Sequence, residues 1–215
     1  MSTAPTTTSP GTRRGTSASR AAALAREVPA GRRPGWWGMV LALVSDVSAF
    51  ASLLAGYYYG RFVTSATWPP PGDPLPRLLL SSIMTGLLVV SVAPMALANR
   101  GLRAGSRGRA ALGCLVTALL GAAFVVLEIV EWRDELKGSW PTKNAYGSLF
   151  YSLTGLHWVH IALGVLALLL LVAAALAGRV RRAHQVWLRV LALYWYASVV
   201  VWVLIYAALY WSVRL

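Results

Sequence analysis

The sequence predicts an all-α, polytopic membrane protein: one bundle of five transmembrane helices behind a basic tail. Composition, hydropathy and the pattern of apolar runs predict it. Of the 215 residues, 57% are hydrophobic and 13% are charged, against about 25% charged in an ordinary soluble domain. Mean hydropathy is positive. The apolar residues fall into five runs, each long enough for the roughly 20 residues that cross a hydrocarbon core. The charged residues gather at the ends of those runs.

Residues 1–34 hold six arginines, Arg13, Arg14, Arg20, Arg26, Arg32 and Arg33, and one acid, Glu27, among Ser, Thr, Ala and Gly. That composition cannot bury a core and predicts a disordered cytoplasmic tail. It has no apolar stretch of the kind that marks a secretory signal. Residues 35–215 are read as one transmembrane domain. The first span runs from about Trp36 to Gly60, with Asp46 near its middle and Tyr57, Tyr58 and Tyr59 as an interfacial aromatic cluster at its end. Trp68-Pro69-Pro70-Pro71-Gly72 then excludes helix, because proline lacks the donor and clashes with the preceding turn.

The second span runs from about Arg77 to Ala98, with Pro94 as a candidate kink. A short loop carrying Arg100, Arg103, Arg107 and Arg109 leads to the third, from about Ala110 to Trp132. Glu128 and Glu131 lie near its end. The fourth runs from about Tyr146 to Ala177, followed by Arg179, Arg181, Arg182 and His184, and the fifth from about Trp187 to Trp211.

Short cytoplasmic loops retain Lys and Arg. Thirteen basic residues fall in the tail and the two Arg-rich loops, against six on the other side, with Arg189 counted for neither. The N-terminus is therefore expected in the cytoplasm and the C-terminus outside, in a bacterial plasma membrane. The net charge of +13 is thereby read as a topology signal. Nucleic acid is not an expected partner, since no separate basic recognition domain is present. The single cysteine, Cys114, reads as a small apolar side chain in a helix.

An ionisable residue inside a membrane span is by default a functional hypothesis. Asp46 lies about ten residues into its helix, about 15 Å deep at 1.5 Å per residue, with Ser45 and Ser48 beside it in sequence. It reads equally as a packing residue or as a proton-active or subunit-contact carboxyl. Glu128 and Glu131, spaced i, i+3, share a helical face. Glu131, just before Arg133, reads as a solvated helix end, whereas Glu128 is one turn deeper. His157 and His160 have the same spacing and could ligate a metal or haem from one helix. The remaining histidine, His184, is in a loop, so structural or lipid hydrogen bonding is the expected role, with no metal and no cofactor in this chain. No nucleophile elbow, phosphate loop or haem-attachment motif is present, so no catalytic residue is assigned.

The ordered motifs resemble the five-helix form of subunit III of the haem-copper respiratory oxidases over about Trp36 to Trp211. Ser45-Asp46-Val47-Ser48-Ala49-Phe50 resembles that family's Ser-Glu-x-x-x-Phe, and Trp68-Pro69-Pro70-Pro71-Gly72 its Trp-Pro-Pro-x-Gly loop. Ser81-Ser82 is similar to its paired small residues. Gly121, Phe124, Glu131 and Trp132 fit its Gly-x-x-Phe…Glu-aromatic pattern. Tyr146-Gly147-Ser148-Leu149-Phe150 and Thr154-Gly155-Leu156-His157-Trp158-Val159-His160 match two further runs, and Tyr194-Trp195 and Trp202 the last helix.

This chain departs from the pattern with Asp46 for Glu, Glu128 for Gln, Trp158 for Gly and Arg189 for Glu. Tyr194-Trp195-Tyr196-Ala197-Ser198-Val199 stands where Tyr-Trp-His-x-x-Asp is usual. The resemblance implies a non-redox subunit of an aerobic cytochrome c oxidase. Such a subunit docks with subunits I and II, holds phospholipids and supports proton uptake in respiratory electron transport. Haem and copper would lie in the partner subunits. A subunit-III-like protein associated with nitric oxide reductase is the alternative within this class. A small transporter or channel is the alternative of another class, although no internal repeat supports it.

Overall fold

The structure, a computed structural model, describes residues 34–64, 67–71, 76–135, 144–178 and 182–214. The tail read as disordered therefore lies outside the described residues, apart from Pro34. The described residues are all helical or loop. The helices are α1 (Pro34–Tyr59, continued by a π-helical turn Gly60–Thr64), α2 (Leu78–Arg103), α3 (Arg107–Glu135), α4 (Ala145–Leu176) and α5 (Arg182–Tyr206). A π-turn (Ala207–Trp211) and a short 3₁₀ turn (Ser212–Arg214) follow α5. Each of the five is long and apolar enough to cross a membrane. α2 and α3 run several residues beyond their apolar runs, α2 through Arg100 and Arg103 and α3 from Arg107 to Glu135, so their ends carry the arginines of the loop between them.

The turns follow from local chemistry. At the end of α2, Gly105 takes φ +70°, a conformation nearly closed to residues with a Cβ. The Ala104 and Ser106 amides there bond back to the Arg100 and Gly101 carbonyls. At the start of α4, the Asn144 side chain accepts from the Gly147 amide at 2.8 Å, filling one of the donors a helix start leaves over. Pro94 stays inside an uninterrupted α2.

Helices α2, α3, α4 and α5 pack in a closed ring, each against its neighbour in sequence and α5 back against α2. Small residues set the spacing. A Cβ on Gly113 would stand 2.6 Å from the Pro94 carbonyl oxygen and 2.7 Å from the Ala98 nitrogen, so α3 presses on the backbone of α2. Gly121 and Gly164 form a slot for Trp195, whose ring would lie 2.5 Å and 3.0 Å from a Cβ at those positions. Close approach through small residues is how helices associate where lipid supplies no hydrophobic drive.

Four indoles then tie helix to helix by hydrogen bonds. Trp195 donates to Ser91 Oγ (2.9 Å) and Trp202 to Thr85 Oγ1 (3.0 Å), joining α5 to α2. Trp132 donates to Thr154 Oγ1 and Trp158 to the Val125 carbonyl, both at 3.1 Å, joining α3 to α4. Large aliphatic side chains such as Leu79, Val90 and Leu170 point outward while Ser81, Ser91, Thr117 and Thr154 are buried. That inversion suits an apolar solvent.

From Leu41 onward α1 meets the ring differently. Only 6% of its apolar window is buried, against 50% for the last span. It reaches the others through large side chains. Phe50 packs on His157 and His160 of α4, and Tyr57 packs on Trp68 and Tyr146. Arg61 in the following π-turn donates to Ser212 Oγ at 2.5 Å and to the Ser212 carbonyl at 2.6 Å. Gly60 leaves room for the Trp68 ring, which would stand 2.9 Å from a Cβ there.

Candidate functional site

Asp46 and His160 meet where α1 faces α4. Asp46 Oδ2 lies 3.2 Å from His160 Nε2, with side-chain exposures of 33% and 17%. His160 Nδ1 lies 2.7 Å from the Leu156 carbonyl one turn earlier. A carbonyl only accepts, so Nδ1 carries the hydrogen. Neutral imidazole then presents a lone pair at Nε2, facing a carboxyl oxygen. The contact is attractive only if one proton lies between them, on the acid or on the ring.

Tyr194 of α5 seals the site. Its hydroxyl donates to the His160 carbonyl at 2.8 Å, and its ring stacks on the imidazole with centroids 6.3 Å apart. Ser45 and Ser48, the sequence neighbours of Asp46, face outward. Ser48 Oγ donates back to the Val44 carbonyl.

His157 goes elsewhere. It is fully buried, stacked on Trp202 at 5.0 Å and edge-on to Phe124 and Phe50. Neither ring nitrogen has a protein partner. The i, i+3 histidines thus part, one into an aromatic box inside the ring and one toward α1. The two imidazoles occupy different surroundings despite their shared spacing. Among the described residues no three His, Cys, Asp or Glu side chains come together as a metal-binding group.

The solvated helix end expected for Glu131 is not found. Glu131 is fully buried, its Oε1 accepting from Ser81 Oγ at 2.6 Å and its Oε2 from Tyr210 Oη at 2.8 Å. The cause is tertiary. α2 and the π-turn after α5 cover the end of α3 and bring a donor to each oxygen. Arg133, next but one in sequence, is exposed. The surface ion pair at this end is formed instead by Arg77 and Asp134 at 2.9 Å. Glu128, one turn deeper and also fully buried, lies beside the bonded Trp132–Thr154 pair but with neither in hydrogen-bond geometry.

The sequence reading missed Tyr210, which looks like one more interfacial aromatic between Leu209 and Trp211. The available signal was the acid itself, since a buried carboxyl needs donors. It also missed the Arg61–Ser212 clamp. Trp158, noted only as a departure, proves to be a tie between α3 and α4.

A family model described as cytochrome c oxidase subunit III matches residues 22–213. Cytochrome c oxidase subunit 3 of Rattus norvegicus is 30% identical over 180 residues, covering 81% of this chain and 68% of the relative. The protein of that name from Anopheles gambiae is 29% identical over 184 residues, with the same coverage. Cytochrome bo(3) ubiquinol oxidase subunit 3 of Pseudomonas aeruginosa is 30% identical over 175 residues, covering 81% of this chain and 83% of the relative.

Proposed function

This chain belongs to the cytochrome c oxidase subunit III family, and from that premise we propose that it is a non-redox accessory subunit of an aerobic haem-copper oxidase that supports proton uptake by the catalytic core. In this reading it sits in a bacterial plasma membrane with its N-terminus in the cytoplasm and associates with subunits I and II, which carry the haem and copper. The observation that carries the proton role is the Asp46–His160 pair. In this reading the two side chains share one exchangeable proton, held inside the membrane on the helix least enclosed by this chain's own fold. The partly exposed Asp46 can therefore be reached by a neighbouring subunit or lipid.

The test is Asp46→Asn in the tagged complex. The Asn amide can still donate to His160 Nε2, so the tie between α1 and α4 survives while the shared proton is lost. The complex should assemble with full haem content, yet turn over more slowly or inactivate sooner. Normal oxygen consumption over many turnovers would overturn the proton role and leave a structural one. Asp46→Leu should in addition loosen retention of the subunit. The same purification tests the wider reading. A haem protein that reduces nitric oxide rather than oxygen would transfer the chain to the other complex, and the absence of any co-purifying haem protein would overturn both.

A further inference from the structure

Glu128 of α3 and His157 of α4 are both fully buried. Both carboxyl oxygens and both ring nitrogens lack a hydrogen-bond partner among the described residues. Buried polar groups nearly always have one, and these two side chains are neighbours. α3 and α4 run in opposite directions. Trp132 meets Tyr151 and Thr154, and about two turns back along α3, Phe124 and Val125 meet His157 and Trp158. Glu128 is one turn from Phe124 and one turn from Trp132 on the same face, so it stands level with the stretch between Thr154 and His157.

The protein groups around the pair are already engaged. Trp132 donates to Thr154, whose hydroxyl donates to the Phe150 carbonyl. Glu131 accepts from Ser81 and Tyr210, and the Trp202 indole donates to Thr85. Trp202 lies on the face of the His157 ring while Phe124 and Phe50 meet it edge-on, and together they fix its orientation. A small ligand that both donates and accepts would satisfy the two side chains at once. Neutral imidazole offers one N–H and one lone pair, and the carboxyl oxygens accept. Among the described residues no third His, Cys, Asp or Glu joins the pair, so the set falls short of the three or four ligands a zinc ion takes. A buried water typically makes about three hydrogen bonds to otherwise unsatisfied groups, which these atoms can supply.

We propose that one buried water bridges the Glu128 carboxyl and the His157 imidazole, pinning α3 to α4 inside the ring. It completes a series of polar ties along the α3–α4 seam, between Trp132–Thr154 and Trp158–Val125. The site is built from this chain alone and does not depend on its place in an oxidase.

Two measurements test it. In the complex purified through this chain, electron cryo-microscopy fine enough to show ordered waters should reveal a peak within about 2.7–3.2 Å of a Glu128 oxygen and a His157 nitrogen. The peak should persist in Glu128→Gln, whose amide can bond the same water. Direct contact between the two side chains, or both in clear density with nothing between them, would overturn the proposal. The second measurement follows unfolding of the full chain in mixed micelles for Glu128→Leu, His157→Phe and the double variant. Phe keeps a ring in the aromatic box and removes both nitrogens. With no water held, it removes two unsatisfied atoms and stabilises the chain whatever stands at 128. With the water held, it strands the water and the carboxyl, so His157→Phe should raise the unfolding equilibrium constant beside Glu128 and not beside Leu. The two backgrounds should differ by at least about twofold, the low end of coupling between residues in contact. Stabilisation by Phe beside Glu128, or the same effect in both backgrounds, would overturn the proposal.

Discussion

Replacing Glu131 by Ala removes the hub of a buried network that joins three helical segments. Ser81 Oγ keeps another acceptor, the Arg77 carbonyl at 2.8 Å, whereas Tyr210 Oη loses the one acceptor it has among the described residues. Side-chain hydrogen bonds between membrane helices are worth about 0.6 kcal/mol on average and up to about 1.7 kcal/mol. A stranded buried hydroxyl costs about 1–3 kcal/mol. Two lost bonds and one stranded hydroxyl place Glu131→Ala at about 2–6 kcal/mol of destabilisation. Tyr210→Phe should cost less, because it removes one bond and leaves the Ser81 bond in place. The double variant then has no stranded hydroxyl, so it should be more stable than the two single costs predict by about 1 kcal/mol or more. Reversible unfolding in mixed micelles, followed by the fluorescence of the ten tryptophans, measures all four proteins. If the two substitutions add to within about 0.3–0.5 kcal/mol, as independent sites do, Glu131 and Tyr210 are not coupled and the reasoning fails.

Three further outcomes can be checked on the same chain. Gly113→Ala should destabilise by about 1–3 kcal/mol, the usual range for overpacking, because its Cβ would meet the backbone of Pro94 and Ala98 rather than a movable side chain. Gly86→Ala, with nothing within 4 Å, should be neutral or gain a few tenths of the roughly 1 kcal/mol of helix propensity; equal effects of the two would refute the close packing of α2 and α3. Glu128→Gln should change unfolding stability by less than about 1 kcal/mol, since the carboxyl has no hydrogen-bond partner among the described residues to lose and the amide is nearly its size, and a larger loss would show that the acid has a protein partner of its own. Reporter fusions at Arg103 and Arg181 should read cytoplasmic and one at Lys137 external, and a cytoplasmic reading at Lys137 would refute the orientation.

The spans were legible because hydrocarbon imposes a length and a composition that a single sequence displays. The ends were less so. The π-turn after α1 continues that helix beyond its apolar run into Arg61, which clamps Ser212 of the short 3₁₀ turn at the other end of the chain. Asp46 and His160 could each be singled out as costly residues in a membrane, but their pairing is a tertiary fact that no local spacing encodes. Equal spacing even misled, because His157 and His160 share an interval and not an environment. Glu131 was misread for a related reason. Nearness to Arg133 suggested water, whereas the ring that α5 closes against α2 decides what covers the end of α3.

The sparse burial of α1 has a consequence for biosynthesis. Asp46 precedes His160 by more than a hundred residues, and a ribosome adds about 5–20 residues per second. For something on the order of ten seconds, α1 resides in the bilayer with its acid and no histidine to meet it. During that interval the apolar residues around Asp46 must carry the insertion alone, against about 2.5–3.5 kcal/mol for an acid at mid-span. The first helix is therefore a lodger until the fourth arrives, free to tilt or slide. The Asp46–His160 contact is then a late latch, closing only once most of the chain has been made.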